Sequence, residues 1–127
     1  MQIVTGDLKL LAEAIDQVTA DKSASFKVSG KVRYAAAKNY RILSNHVDDF
    51  EKARVALILS LSNGKTKIEQ GDENYDKFVA EFTAMSKGIT EVENILPFKL
   101  AELDLDNNPI PTDALALLIE YNLIDES

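Results

Sequence analysis

Gly64-Lys65-Thr66 is the most conspicuous short pattern in the chain, because the same three residues close the phosphate-binding loop of many nucleotide hydrolases. There, backbone amides cradle the phosphates and the lysine reaches the terminal ones. The full pattern needs a glycine five positions earlier, where Leu59 stands, and a strand leading into the loop, where an apolar helical repeat stands instead. Asp104, Asp106 and Asn108 alternate as calcium ligands do in an EF-hand loop. Pro109 then falls where that loop needs glycine, and Leu115 where it needs a bidentate glutamate. His46 is the only histidine and there is no cysteine, which excludes a zinc site of several imidazoles or thiolates. A Ser-His-Asp triad would have to use His46, and Ser44 and Ser60 are merely placed along the same helix. The acid pairs Asp48-Asp49 and Glu91 with Glu93 read as solvent-facing carboxylates, and a chain without tryptophan is poorly equipped for a sugar cleft. The sequence therefore predicts a non-enzyme, with no catalytic residue, metal ligand set or cofactor.

One constellation survives. Lys31, Tyr34, Lys38, Arg41 and Asn45 are spaced three, four, three and four apart, which puts them on one stripe of a helix. Cations beside an aromatic ring, near the amides of a helix start at Ser29-Gly30, make an anion platform. Its ligand would be an acidic protein surface or a phosphate-bearing small molecule. The plainer alternative is a solubilising face.

A long helix must carry that stripe. From a cap at Ser29, the series Ala36, Tyr40, Leu43, Val47, Phe50, Arg54, Leu57, Leu61 runs at alternating steps of four and three, the spacing of a coiled-coil seam. Ser62-Asn63-Gly64 supplies a left-handed stop. An earlier helix is expected from about Thr5 to Ala20, capped by Thr5 or Asp7, with Leu8, Leu11, Ala12, Ile15 and Val18 inward. A later one is expected after Asp72, with Tyr75, Phe78, Val79, Phe82 and Met85 facing the seam and Gly88 ending it. The long helix and this later one should form an antiparallel hairpin. Phe26-Lys27-Val28, Lys65–Gln70 and Leu96–Leu100 read as short extended pieces, the last an edge strand because Pro97 cannot donate to a ladder. Asp104–Pro111 is a loop, and Thr112 should cap a short terminal helix with Leu115, Leu118, Ile119 and Leu123 inward. The expected fold is mainly α with a minor β element: a long helical hairpin or coiled-coil-like bundle, a small two-stranded sheet and a short C-terminal helix.

At 127 residues the chain should form a single domain over 1–127. Its start lacks a basic region followed by an apolar run, and its longest apolar stretch, such as Val55–Leu59, is too short to span a bilayer, so a soluble cytoplasmic protein without membrane contact is expected. The net charge of −7 argues against nucleic acid as a partner. That charge is unevenly spread: Lys22 to Val47 holds six cations and no acid, whereas Glu69 to Ser127 holds fourteen acids against Lys77, Lys87 and Lys99.

The segment Ser25-Phe26-Lys27-Val28-Ser29-Gly30-Lys31-Val32-Arg33-Tyr34-Ala35-Ala36-Ala37-Lys38-Asn39 leads into the long helix. Tyr75-Asp76-Lys77-Phe78-Val79-Ala80-Glu81-Phe82, then Glu91-Val92-Glu93, then Pro111-Thr112-Asp113-Ala114-Leu115 follow. In order and spacing this resembles a group of small proteins of unknown function encoded by tailed bacteriophages. Members often carry a proline where this chain has Phe26. The resemblance implies phage origin and carries no catalytic residues over. It leads to the expectation of a non-catalytic accessory protein that binds a host protein, as an inhibitor of a host defence. Two alternatives stay open: a binding module that sequesters an anionic, nucleotide-like signal molecule, and a virion or assembly component. Self-association into a homo-oligomer is expected in each, because the seam outruns its internal partner.

Overall fold

The computed structural model describes residues 1–20 and 28–126. Lys22, Lys27 and the expected extended piece at Phe26-Lys27 lie outside them. In order, the chain forms β1 (Gln2–Val4), a 3-10 turn at Thr5–Asp7, α1 (Leu8–Gln17), α2 (Gly30–Leu61), α3 (Tyr75–Lys87), β2 (Ile89–Glu91), β3 (Phe98–Lys99), a 3-10 turn at Leu100–Glu102, α4 (Thr112–Glu120) and β4 (Ile124–Asp125). It is mainly α with minor β, and the long hairpin of α2 and α3 is present.

Local chemistry explains the bounds of α2. Ser29 is extended and its Oγ accepts from the Val32 amide at 3.3 Å, satisfying a donor that the helix itself leaves open. At the far end Asn63 (φ 57°) and Gly64 (φ 87°) take the left-handed conformation that stops a helix. Between them run 32 residues, about 48 Å of helix at about 1.5 Å per residue.

The core gathers at one end of that rod. Val32, Ala35, Ala36 and Leu43 of α2 are buried with Leu8, Leu11, Ala12, Ala14 and Ile15 of α1, and with Phe98, Leu103, Leu118 and Leu123 from the C-terminal third. α1 lies against α2 on one side and α4 on the other. Two buried asparagines tie irregular chain to this core. Asn39 grips the backbone of Leu96 from both ends of its amide, donating to the carbonyl at 2.7 Å and accepting from the N–H at 2.8 Å. Asn108 donates to the carbonyls of Val18 and Leu103 at 2.9 and 3.0 Å.

Several expectations are corrected. Lys65–Gln70 is not a strand: it is an almost wholly exposed link at the hairpin tip, and it pairs with no strand among the described residues. Pairing occurs instead in two separate two-stranded sheets, β1 with β2 antiparallel and β3 with β4 parallel. The Leu96–Leu100 strand shrinks to Phe98–Lys99 because Asn39 holds Leu96 and a 3-10 turn begins at Leu100. Asp72 does not cap α3, which starts at Tyr75; its carboxylate accepts from the Glu69 amide at 2.8 Å. Asp7 stands at the N-cap position of α1 but makes no side-chain capping bond there; its carboxylate accepts from the Tyr121 hydroxyl at 2.6 Å. Thr112 is the first residue of α4 and makes no capping bond, while Ile119 is 48% exposed and Ala114 is buried in its place.

The seam is real but unevenly used. Ala36 and Leu43 are buried, Tyr40 is exposed, Val47 is half-buried at the edge of the core beside α1, and Phe50, Arg54, Leu57 and Leu61 are half-buried farther out along the hairpin. Phe50 and Phe82 meet across the hairpin with ring centroids 5.7 Å apart, and Phe78 stacks on Phe82 at the same distance. Arg54 keeps its place on the seam by pairing with Glu51 one turn back, Nε to Oε2 at 3.0 Å. That bond holds the Glu51 carboxyl below its usual range.

Candidate partner-binding platform

Because Val32, Ala35, Ala36, Asn39 and Leu43 point α2 into the core, the residues half a turn away must face out. The basic stripe is that outer face, and the structure divides it. Tyr34, Lys38 and Arg41, with Ala37 between them, line a shallow depression of about 260 Å³. Tyr34 is 66% exposed. Neither Lys38 nor Arg41 pairs with an acid among the described residues.

Lys31 is drawn away from them. Its Nζ lies 3.6 Å from Glu102 Oε1, in a separate small hollow that Pro97, Phe98 and Lys99 also line. Asn45 is exposed one turn beyond Arg41 and does not line the depression. The helix start contributes less than its position suggests, since Ser29 already occupies the Val32 amide. Arg33, next in sequence, turns back to donate to the Val28 carbonyl at 3.2 Å.

The other polar constellations do different work. Asn108 is turned inward as a strut, and Asp104 Oδ1 accepts from the Asn107 side-chain Nδ2 at 3.0 Å, so the Asp104-Asp106-Asn108 series does not converge on one point. Among the described residues no group of three His, Cys, Asp or Glu side chains could hold a metal ion. No helix among them is long and apolar enough to cross a membrane.

A second surface was missed by sequence reasoning. Between α1 and α4 runs a groove of about 420 Å³, floored by Leu10, Ala14, Ala114 and Leu117 and edged by Glu13, Gln17 and Asp113. Leu10 is 55% exposed in it. The signal was present: Leu10 falls out of phase with the inward series Leu8, Leu11, Ala12, Ile15.

Fold and surface together define a mainly helical protein with a cationic, aromatic platform on one long helix. In comparisons with protein-family models, curated proteins and solved structures, nothing matches the chain.

Proposed function

We propose that the chain is a non-catalytic binding protein whose α2 platform docks an acidic surface of a partner protein. The observation that carries this reading is the exposed Tyr34 beside two cations, Lys38 and Arg41, that pair with no acid among the described residues. Tyrosine and arginine are the side chains that protein interfaces favour, since each offers a large apolar body with a polar end at little entropic cost. The shape favours a protein over a small molecule. Among the described residues the lining comes from one helix, which gives a floor and no opposing wall, whereas ligand pockets enclose most of what they bind. Following the resemblance to tailed-phage proteins, the partner is a host protein and the consequence of docking is interference with a host defence.

The test is capture of partners from bacterial lysate by the tagged protein, beside a variant with Lys38→Glu and Arg41→Glu. The reading expects one stoichiometric protein that is retained by the native chain, released as salt is raised, and lost in the variant. Equal capture by both chains would remove the platform from the argument. Thermal stabilisation of the native chain, and not of the variant, by nucleotides or inorganic pyrophosphate would replace the protein partner with an anionic small molecule.

A further inference from the structure

The α1/α4 groove and the α2 platform are opposites in chemistry. The groove has an apolar floor, on which Leu10 is more than half exposed, between Glu13 of α1 and Asp113 of α4. Neither carboxylate pairs with a cation among the described residues; Asp113 only accepts from the Ala114 amide, at 3.0 Å. The platform offers what such a groove lacks: one exposed ring with a cation one turn away, Lys38, and another two turns away, Arg41. An aromatic side chain gains by leaving water for an apolar surface, and a groove of about 420 Å³ has room for one ring.

We infer that the α1/α4 groove receives the Tyr34 platform of a second copy of this chain, with the ring over Leu10 and Ala114 and Lys38 and Arg41 against Glu13 and Asp113. The inference rests on the platform being a protein-docking surface, and it names what covers that surface when no other partner is bound. Two different patches meet, so the contact is head-to-tail, and it closes into a ring or extends with concentration. One ring and two solvent-edged ion pairs make a weak contact, far smaller than the roughly 1,600 Å² of a standard stable interface. A partner with a more acidic surface therefore displaces it, and self-association and partner binding compete.

The experiment is sedimentation velocity across a wide concentration range, at low and at raised salt, on four samples. These are the native chain, a platform variant (Lys38→Glu, Arg41→Glu), a groove variant (Glu13→Lys, Asp113→Lys) and an equimolar mixture of the two variants. All four positions lie at the surface, and circular dichroism checks that each variant folds. Should Asp113→Lys disturb the start of α4, Glu13→Lys alone serves as the groove variant. The native chain is expected to associate with concentration and to dissociate in salt. Each variant alone should associate about tenfold or more weakly, and the mixture should recover, because reversed platform then meets reversed groove and native platform meets native groove. A native chain that stays monomeric throughout, or a groove variant that associates as the native chain does, overturns the inference. So does a mixture no better than its parts. If the groove variant is without effect while the platform variant still loses the captured partner, the self-contact fails and the functional reading stands. If the platform variant affects association but not capture, the reverse holds.

Discussion

Leu43 and Leu57 lie two heptads apart on the same face of α2, yet Leu43 is wholly buried and Leu57 only half. The difference is the number of neighbours around the rod. At Leu43 the face of α2 meets α1 on one side, and nearby Asn39 fastens the chain around Leu96. At Leu57 it meets α3 alone, and α3 has no buried residue of its own. An apolar seam is a property of one helix, whereas burial depends on what its face meets: over residues 47–61 of α2 only Ile58 is buried, and the seam residues around it stay half-exposed. Two helices side by side leave their outer flanks wet, which is why Val55, Leu59 and Val79 are each about two-fifths exposed.

The sharpest way to break that comparison is to make the same substitution at both places. Leu43→Ala should cost about 2–5 kcal/mol in denaturant unfolding, the range for a fully buried leucine that leaves a cavity. Leu57→Ala should cost about 1 kcal/mol, since much of its surface is already in water. Amide exchange should separate the regions too, with α3 and the last turns of α2 exchanging ahead of α1 and the first half of α2. Equal costs at the two leucines would mean that the outer hairpin is covered in solution by something other than its own chain.

Next in size comes the polar half of the core. Asn39→Ala removes both partners of the Leu96 backbone and leaves a donor and an acceptor stranded beside the core, at about 1–3 kcal/mol. In the hairpin, Asn74 donates to the Leu61 carbonyl at 2.9 Å in a similar way, but near the exposed tip. There water can replace the lost bond, so Asn74→Ala should fall below about 1 kcal/mol. Paired urea titrations of the two variants read the contrast directly.

What the sequence disclosed divides along the same line between local and distant causes. The bounds of α2 were legible because Ser29, Asn63 and Gly64 act on their own neighbours, and the seam because it repeats. The sheets were not. β1 joins Gln2–Val4 to Ile89–Glu91, and β3 joins Phe98–Lys99 to Ile124–Asp125, in runs of two or three residues that are too short to show a two-residue period. Lys65–Gln70 misled for the converse reason: it holds residues that suit a strand, but it pairs with no strand among the described residues. The stripe was legible as spacing, whereas the diversion of Lys31 to Glu102 depends on a turn far along the chain. The groove depends on two helices meeting, and only the misplaced Leu10 hinted at it.

A third contrast concerns pH. The Tyr121 hydroxyl donates to Asp7 and accepts from the Val4 amide at 3.3 Å, closing the C-terminal end of α4 over the start of the chain. Burial, followed by the bond to Asp7, pushes the phenol from its ordinary 10.0 up to about 12. A raised pKa means that the unfolded chain gives up this proton first. The contribution is therefore whole below about pH 10 and declines as pH rises towards 12. Tyr121→Phe should cost about 1 kcal/mol at neutral pH, and the gap between native and variant should narrow above about pH 10. Denaturation midpoints of both chains from neutral to alkaline pH measure it; a gap that stays constant would place the phenol in ordinary solvent.

A last, local effect is expected at the foot of the platform. Ser29→Ala removes the bond to the Val32 amide and should cost about 1 kcal/mol, while Ser29→Gly should cost only a few tenths, because glycine also suits that backbone position. Fraying reaches the first turn, which carries Lys31, and stops before Tyr34, Lys38 and Arg41, which the buried face of α2 holds in place through Ala35, Ala36 and Asn39. Partner capture by the proposed platform should therefore survive Ser29→Ala at temperatures where the chain stays folded. Loss of capture in that variant, with stability otherwise intact, would move the binding surface down to Lys31 and the helix start.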